Sequence, residues 1–430
     1  MNYFKQIYYE MKHQKMMTWV SISGTALAIF MVMIFMMSEQ IYEVESAPEL
    51  NRSRILYGQG VHLIDKENNA DQSTTGLSYE FAKSIYGNLE GIEAMSYFDT
   101  FSRSRVDVGP KKGDTFSMTQ IKADAGIWNV YDYRFIDGRP FNAGEADSQA
   151  RVAVISRSSA RKLFGKENVA GQQIDIDAIP YTVVGVIEDT EPVLTQSCTD
   201  VLLPYNPALS QSDNSFWGSV NVMLLAKKGT DISGIKKQVE QSYHRLQPDA
   251  QKEGYELVYH EQPYTSREMG IGGFGSNTSP DTKSHDRKMI AVFALLIILP
   301  AINLSSMTRS RLRHRVSEIG VRRAFGAKRN SVIGQIFGEN FIISLMGGAI
   351  GLILSVLFIV FMSNFLFSYS GDLDASLDQV NARPDFWMIF RWSNFLWTLL
   401  FCFVLNILSA SVPAWRASRV EPAVALSSAR

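Results

Sequence analysis

The chain has 430 residues, enough for several domains, and its formal net charge is only −1. Its composition alternates between long uncharged apolar runs and one large polar block. The two cysteines, Cys198 and Cys402, lie in segments of different character, so we expect no disulfide between them, and no Cys/His cluster has the spacing of a metal site.

Four segments lack Asp, Glu, Lys and Arg for long enough to cross a bilayer, which takes about 20 mainly apolar residues in a helix. We therefore predict four transmembrane helices. The first could instead be a cleaved signal peptide, but its apolar run is longer than a typical h-region and no small-x-small cleavage site follows it. The third charge-free window, 340–371, is longer than needed, and we place its span at 337–366. The predicted spans are 16–38, 289–308, 337–366 and 392–415.

The charges between these spans are asymmetric. The terminal segments 1–15 and 416–430 and the loop 309–336 carry the basic excess, and 1–15, 309–330 and 416–430 together sum to +11. The block 39–288 sums to −9 and the short loop between spans three and four is also acidic. Because basic loops stay in the cytoplasm, we predict that both termini are cytoplasmic and that 39–288 and 367–391 are outside. This orientation predicts a multi-pass protein of the inner (cytoplasmic) membrane.

Residues 1–15 combine aromatic side chains with lysines, which predicts a cytoplasmic amphipathic helix. The pattern fits equally well a helix that lies at the membrane interface and a helical extension of the first span.

The block 39–288 has the pattern of a mixed α+β domain, large enough for one or two hydrophobic cores. Period-two alternation and β-branched residues indicate strands, whereas apolar residues near a 3.6 period indicate helices. A Gly/Ser-rich stretch before the second span reads as a flexible loop, or else as a contact for a substrate or partner. The predicted elements are strand 151–155, helix 156–164 capped by Ser156 and ended by Gly165, strand 173–177, turn 178–180, strand 181–187, strand 219–226, helix 231–246 and loop 269–280.

No segment carries a recognisable catalytic constellation. The sequence has no Gly-x-Ser-x-Gly elbow, no His-Glu-x-x-His and no phosphate-binding Gly-x-x-x-x-Gly-Lys-Ser/Thr. We interpret the adjacent acids Glu188 and Asp189 as turn residues rather than as an acid–base pair. The sequence therefore predicts a protein without enzymatic activity of its own, with no nucleic-acid partner.

The loop between spans two and three, 309–336, predicts a short helix below the bilayer. Ser317 can cap it, Glu318 lies in its positive first turn, and Gly326 can end it. Such a helix presents a surface that a cytosolic protein can bind. The alternative is a basic loop that only sets topology, and the residues alone do not separate the two.

This stretch resembles the signature of the FtsX-like permease family. The matching run is Glu318, Ile319, Gly320, Val321, Arg322, Arg323, Ala324, Phe325, Gly326 and Ala327. The C-terminal stretch 413–426 is similar to the same family's ending. The stretch 151–187 resembles, more loosely, the periplasmic core domain of MacB-type ABC transporter permeases.

The resemblance implies a membrane protein with four transmembrane α-helices plus a large α+β extracytoplasmic domain inserted between helices 1 and 2. It implies that 318–327 is a coupling helix received by a cytoplasmic ABC ATPase, and that the outer domain has a porter-like part with an inserted part at about 141–218. We expect the ATPase to be another polypeptide, because the first span starts near residue 16 and leaves no room before it. ATP then binds to that partner, and we expect no cofactor on this chain.

The resemblance also implies a homodimer, or a heterodimer with a related permease. Within the third span, Gly347 and Gly351 form a small-x-x-x-small pair that permits close helix packing, either across a dimer or within one chain.

None of the four charge-free windows contains a charged side chain that could relay an ion or a proton across the membrane. This favours transmission of motion over conduction of a polar solute. We therefore expect a permease subunit for export of a peptide, drug, lipid or lipoprotein, with a periplasmic adaptor as a further partner. The alternatives are a non-transporting mechanotransmission subunit that regulates an envelope enzyme, and a one-component sensor or membrane-bound enzyme.

Overall fold

The computed structural model describes residues 15–40, 44–68, 70–73, 76–108, 115–191, 194–209, 215–272, 279–314, 325, 329–367 and 390–418. These residues belong to two compact units. We call the first the helical unit; it draws on Met1–Ile41, Ser284–Ser363 and Asp385–Arg430. We call the second the α+β unit; it draws on Tyr42–Lys283 and Asn364–Pro384.

The helices, in chain order, are α1 (Lys15–Gln40), α2 (Tyr79–Tyr86), α3 (Ile127–Val130), α4 (Ala143–Asp147), α5 (Arg157–Phe164), α6 (Ile232–Lys252), α7 (Ser266–Gly272), α8 (Thr282–His314), α9 (Arg329–Phe367) and α10 (Trp392–Ser418). Short 3₁₀ turns lie at Arg52–Arg54 and Pro207–Leu209.

The strands are β1 (Ile55–Gly58), β2 (His62–Asp65), β3 (Ala70–Ser73), β4 (Ile92–Asp107), β5 (Phe116–Ala123), β6 (Phe135–Gly138), β7 (Val152–Ser156), β8 (Gln173–Ile176), β9 (Ile179–Ile187), β10 (Val201–Pro204), β11 (Val220–Ala226), β12 (Tyr255–Val258) and β13 (Tyr264–Thr265).

The helical unit contains the four predicted spans as long helices. Each predicted span, 16–38, 289–308, 337–366 and 392–415, falls within one of α1, α8, α9 and α10. Among the described residues, Thr18–Gln40 and Phe337–Phe358 are long and apolar enough to cross a membrane, and Trp392–Val404 is a shorter apolar stretch. All four spans therefore stay predictions as membrane crossings, although each segment is helical. The predicted N-terminal helix 1–15 lies outside the described residues apart from Lys15.

The α+β unit is built on a ten-stranded sheet with the order β13-β1-β11-β4-β5-β10-β7-β9-β6, in which β8 pairs with β4 and β9. A second sheet has the order β12-β2-β3. The predicted inserted part, 141–218, contributes β7 to β10 to the large sheet. Its separation from the porter-like part remains a prediction.

Both faces of the large sheet are covered by helices, as its strands' apolar runs require. Side chains of β1 alternate between the two cores: Leu56 packs with α2 and α6, whereas Ile55 and Tyr57 pack with α3 and α7. A third core lies between the β7–β9 region and α5. Burial of these apolar side chains, at roughly 25 cal/mol per Å², supplies the main stabilisation of the unit.

The local predictions around β7 are confirmed. Ser156 accepts a hydrogen bond from the Ser159 amide and so caps α5. Gly165 ends the helix in the left-handed region, with φ of 69°. Both are side-chain or backbone preferences that act over a few residues, which is why the sequence suffices to predict them.

The predicted turn at 178–180 is displaced. The turn is formed by Asp177 and Ala178, both with positive φ, and β9 already begins at Ile179. A two-residue hairpin connection requires positive φ at both of its residues, and the pairing of Asp175 with Pro180 fixes the register around it. Pro180, which suggested the turn, instead lies in the strand.

Two further boundaries differ from the predictions. The helix predicted at 231–246 is α6, and it runs to Lys252 through Pro248. It extends this far because its last turn places the fully buried Ala250 in the core that α6 shares with α2. The loop predicted at 269–280 is helical up to Gly272, because Thr265 and Glu268 cap α7. Residues 273–278 lie outside the described part.

Candidate functional site

The helical unit packs α9 closely against α1. A Cβ atom placed on Gly347 would lie 2.7 Å from Cβ of Thr25, and one placed on Gly351 would lie 2.6 Å from the backbone oxygen of Ala26. Only residues without a side chain fit at these distances. The two glycines named from the sequence thus contact a neighbouring helix of the same chain.

The face of α1 around this contact carries small hydroxyl side chains. Thr18, Ser21 and Thr25 are buried and recur at helical spacing. Thr25 Oγ1 donates to the Ser21 carbonyl at 2.9 Å, so its hydroxyl is satisfied within the helix. Small residues with internally bonded hydroxyls allow close helix packing without an unsatisfied polar group.

Polar contacts join the C-terminal end of α1 to two more helices. Asn394 of α10 donates from Nδ2 to Gln40 Oε1 at 2.7 Å, and His285 Nε2 of α8 lies 3.6 Å from Glu39 Oε1. Phe35 packs against Phe293 of α8 with ring centroids 5.5 Å apart. Together with the α9 contact, these place α1 at the centre of the helical unit.

In the α+β unit, the first strand after α1 lies beside the last strand before α8. We call residues 44–54 the first connector and residues 264–272 the second connector. The first connector leads into β1, and the second begins with β13. These strands pair antiparallel, with Leu56 opposite Thr265 and Tyr57 opposite Tyr264. A displacement of either connector therefore acts on its neighbour through the sheet's hydrogen bonds.

A buried polar group, which we call the connector cluster, lies at the first connector: Glu49, Arg52, Tyr57, Tyr131 and Ser197. Ser197 Oγ donates to Glu49 Oε1 at 2.7 Å, and Arg52 Nε lies 3.3 Å from Glu49 Oε2. The Tyr57 and Tyr131 hydroxyls are 3.0 Å apart. Glu49 is fully buried and Arg52 is 5% exposed.

Burial raises the pKa of Glu49, although the charge of Arg52 and the hydrogen bond from Ser197 act in the opposite direction. Burial and the neighbouring carboxyl of Glu49 also raise the pKa of Tyr57, so the phenol stays neutral. A buried ion pair is sensitive to the loss of either partner, because the remaining charge is left without compensation. The cluster therefore makes the position of the first connector dependent on a loop 148 residues further along the chain.

Arg54 fixes the end of the first connector to the large sheet. Its Nη1 donates to Glu93 Oε2 at 2.7 Å and to the Ala226 carbonyl at 2.6 Å, and its Nη2 donates to Asn51 Oδ1 at 2.6 Å. A planar guanidinium suits this arrangement, since its donors have fixed directions.

The second connector is held by a capping box and an ion pair. Glu268 accepts from the Thr265 amide at 2.8 Å through Oε2, and its Oε1 accepts from Lys236 Nζ at 2.6 Å. Thr265 Oγ1 in turn accepts from the Glu268 amide at 3.2 Å. This reciprocal pattern fixes the start of α7 and attaches it to α6.

Most of the predicted coupling helix lies outside the described residues, so 318–324, 326 and 327 have no structural account. Phe325 is described: it lies in a turn, and 89% of its side chain is exposed. Glu188 contacts Arg157 at 3.3 Å, and Asp189 accepts from the Ser158 amide at 2.8 Å, so both stabilise the start of α5. Burial raises the pKa of the Cys198 thiol to about 12, which keeps it protonated.

The sequence interpretation missed the connector cluster. Glu49 and Arg52 are three residues apart in a segment that matches no motif, and their partner Ser197 is remote in the chain. The only clue to these positions was the pairing of the nearby strand β1 with β13. Because β13 has only two residues, it was not recognised in the sequence.

Comparison with known proteins agrees with the sequence motifs. The MacB-like periplasmic core domain matches residues 18–242, and the FtsX-like permease C-terminal domain matches residues 290–422. The first match covers more than half of the chain. The second contains the 318–327 run and the glycine pair.

Two relatives illustrate the extent of the similarity. The macrolide export ATP-binding/permease protein MacB of Pasteurella multocida (strain Pm70) is 26% identical over 318 residues, which are 71% of this chain and 43% of that protein. The uncharacterized ABC transporter permease YknZ of Bacillus subtilis (strain 168) is 21% identical over 405 residues, 94% of this chain and 92% of that protein. This chain thus covers less than half of the MacB protein's length.

The crystal structure of the periplasmic region of MacB from Actinobacillus actinomycetemcomitans matches 46% of this chain and 88% of that chain, with 16% identity and a TM-score of 0.33.

Proposed function

Because the chain belongs to the family of ABC transporter permeases that combine a MacB-like periplasmic core domain with an FtsX-like permease region, we propose that it couples ATP hydrolysis by a separate cytoplasmic ATPase to movement of its α+β unit. The observation that carries this proposal is the pairing of β1, which follows the first connector, with β13 of the second connector. The chain segments that continue to the predicted first and second spans act on one sheet as neighbouring strands, β1 and β13.

In this proposal the four long helices cross the inner membrane, both termini are cytoplasmic, and the α+β unit faces the outside. The basic segments 1–15, 309–330 and 416–430 support that orientation. The run 318–327 receives the ATPase, and the exposed Phe325 supplies an apolar contact. A shift of α8 or α1 would then pull on a connector, and the connector cluster would carry the displacement into the large sheet.

We further propose that the moved cargo is a peptide, drug, lipid or lipoprotein, exported by a permease dimer with a periplasmic adaptor. The macrolide-export relative named above supports export as the purpose of the motion. The second candidate is mechanotransmission to an envelope enzyme without cargo. The charge-free windows 16–38, 289–308, 340–371 and 392–415 and the hydrogen-bonded connectors favour this alternative, since both features serve transmission of motion and neither provides a polar pathway.

The coupling proposal is tested with the full chain in lipid nanodiscs together with the ABC ATPase that copurifies with it. Hydrolysis and hydrogen exchange of segments 44–58 and 264–272 are measured with and without ATP. We expect ATP to change exchange in both connectors. Glu318→Lys or Phe325→Ala should abolish that change and lower stimulated hydrolysis, while the amount of folded protein stays the same.

Matched controls come from the α+β unit. Glu67→Lys makes the same charge change in an exposed turn, and Leu209→Ala removes an apolar side chain that is 61% exposed. Both should leave hydrolysis and connector exchange unchanged. If ATPase copurification, stimulated hydrolysis and the connector response all survive the two substitutions in 318–327, the coupling assignment is wrong.

A further inference from the structure

The backbone pairing of β1 with β13 is short, since β13 has only two residues and both of them pair. Strands of globular proteins usually run for roughly three to ten residues, so this pairing by itself is a weak joint. Beyond Tyr57 and Tyr264, the same register would place Gly58 opposite Pro263. Proline has no N–H, so the backbone cannot continue the ladder of hydrogen bonds regularly at that residue. Something else must hold the second connector to β1 if the two are to stay together.

The side chain of Gln262 continues the connection beyond the proline. Its Nε2 donates to the Gln59 carbonyl at 2.5 Å, and its Oε1 accepts from the Gln59 amide at 2.8 Å. Gln59, the first residue after β1 and Gly58, thus has both of its backbone groups paired, as it would opposite a strand. Only this orientation of the Gln262 amide fits, because an N–H needs an acceptor and a carbonyl needs a donor. The side-chain amide takes the place of a backbone amide in the β1–β13 ladder.

Both partners are shielded from water. Gln262 is 6% exposed and Gln59 is 5% exposed. Gln262 Nε2 also lies 3.3 Å from the Gly60 carbonyl, which offers an acceptor for its second hydrogen. Water therefore competes little for these hydrogen bonds, and the loss of the Gln262 amide would leave the backbone groups of a buried residue without partners.

Two tyrosines hold Gln262 in this position. The Tyr86 hydroxyl of α2 donates to Gln262 Oε1 at 3.1 Å, and the Tyr259 hydroxyl donates to the Gln262 backbone carbonyl at 2.7 Å. The Tyr86 ring reaches this place because Gly58 has no side chain, and a Cβ there would overlap the ring. The backbone carbonyl of Gln262 is thus used by Tyr259, whereas its side chain serves the ladder.

We propose that Gln262 is the positioning residue that keeps β13, and with it the second connector, paired with β1. Its amide lengthens the two-residue joint by one further pair and attaches it to α2 through Tyr86. A displacement of the second connector then reaches β1 and is not absorbed in the loop 259–263. The inference deepens the proposed function, and only its ATP-dependent consequence rests on that function.

The joint itself is tested without an ATPase, by hydrogen exchange of the full chain in nanodiscs at constant pH. Gln262→Met keeps an unbranched side chain of similar length but removes its donor and its acceptor. Opening in segments 56–61 and 264–272 should become roughly two- to tenfold more frequent in this variant, as expected for the loss of one net hydrogen bond. Unchanged exchange in either segment overturns the proposal.

Two controls separate the ladder from general loosening. Tyr86→Phe removes a hydrogen bond to the same Gln262 oxygen but leaves the pairing with Gln59. Gln241→Met makes the same substitution at an exposed position of α6. Both should retain the wild-type exchange rates in the two segments. An increase in Tyr86→Phe equal to that in Gln262→Met overturns the proposal.

A wild-type measurement decides the matter even if Gln262→Met folds poorly. The Gln59 amide should exchange as slowly as the amides of β1, because it donates to a buried acceptor. Exchange as fast as in the exposed turn at Glu67 overturns the proposal.

A second readout is the distance between the connectors, which a merely structural role would not change with ATP. Spin labels are placed at the exposed positions Leu50 and Gly270 of a chain without its two native cysteines, diluted with unlabelled chain and combined with the copurifying ABC ATPase. In the wild type, ATP should change exchange in 264–272 but leave the label distance unchanged, because the connectors move together. In Gln262→Met, ATP should broaden or shift that distance.

The two failures are distinguishable. If 264–272 of Gln262→Met responds to ATP while the label distance stays at its wild-type value, the role of Gln262 is overturned. If 264–272 of the wild type does not respond to ATP, the coupling function is wrong, and the measurements without an ATPase decide on Gln262.

Discussion

At the scale of single residues, the contacts that matter here are close approaches and buried polar atoms. Gly347 and Gly351 allow α9 to touch α1, and Glu49 and Arg52 place charge in the interior of the α+β unit. Both features tolerate little change, for different reasons. The glycines have no space beside them, and the buried charges have no water to replace a lost partner.

The helix contact leads to a prediction for Gly351→Ala. The new Cβ would meet the Ala26 backbone oxygen, so α1 and α9 must separate, at a cost of about 1–3 kcal/mol. SDS-induced unfolding of the purified chain measures the loss. Gly334→Ala is the matched control on the same helix, because a Cβ there meets nothing within 4 Å. Equal stability of both variants would contradict the contact.

The connector cluster predicts a pH effect. Burial raises the Glu49 pKa above its ordinary 4.5, so between these two values the folded state holds a proton that the unfolded state has released. The contribution of Glu49 to stability must therefore fall as the pH rises from 4.5 through the raised pKa. Hydrogen exchange of segment 44–54 should be slower at pH 5 than at pH 8, after correction for intrinsic rates.

Glu49→Gln should flatten this dependence, since the amide can still accept from Ser197 but does not titrate. Glu67→Gln, in an exposed turn, serves as the control and should keep it. An acid-induced increase of exchange in 44–54 would contradict the Glu49 prediction.

At the scale of elements, the second connector depends on how α7 begins. The Glu268 carboxylate serves two purposes: it caps α7 at the Thr265 amide, and it pairs with Lys236 on α6. The side chains of Lys236 and Glu268 are each about one fifth exposed, so solvent screens their ion pair only in part. One side chain thus joins the helix start to the core.

Glu268→Ala should therefore destabilise the second connector locally by about 1–2 kcal/mol, the usual cost of losing a helix cap. Hydrogen exchange of 264–272 should increase, with little effect on β4 and β5. Glu240→Ala, which alters an exposed glutamate on α6, is the control and should leave the segment unchanged. Unaltered exchange in Glu268→Ala would show that the capping box does not hold the connector.

At the scale of the whole molecule, the family assignment accounts for the order of the parts: an N-terminal helix, an α+β unit and three further long helices. In the proposed mechanism the α+β unit receives motion through the first and second connectors. Since β1, which follows the first connector, pairs with β13 of the second connector, we expect the two to move together.

The four-span arrangement is testable by cysteine labelling. In a chain with Cys198→Ser and Cys402→Ala, single substitutions Glu67→Cys and Ser376→Cys should react with a membrane-impermeant maleimide from outside. Ser310→Cys and Ser428→Cys should react only after permeabilisation. Glu67→Cys is the internal reference for the outer side. Protection of Ser376→Cys in intact cells would exclude the predicted third and fourth crossings.

The sequence by itself determined the features that depend on neighbouring residues or on how apolar and charged segments distribute between membrane and water. These are the long apolar helices, the charge asymmetry, the family motif, the Ser156 cap and the Gly165 helix end. Only the tertiary structure decided that β1 lies beside β13, that Glu49 meets Ser197 and that Gly351 contacts Ala26. Each of these contacts joins segments far apart in the chain, and their geometry follows from how whole elements pack, which no local pattern of side chains encodes.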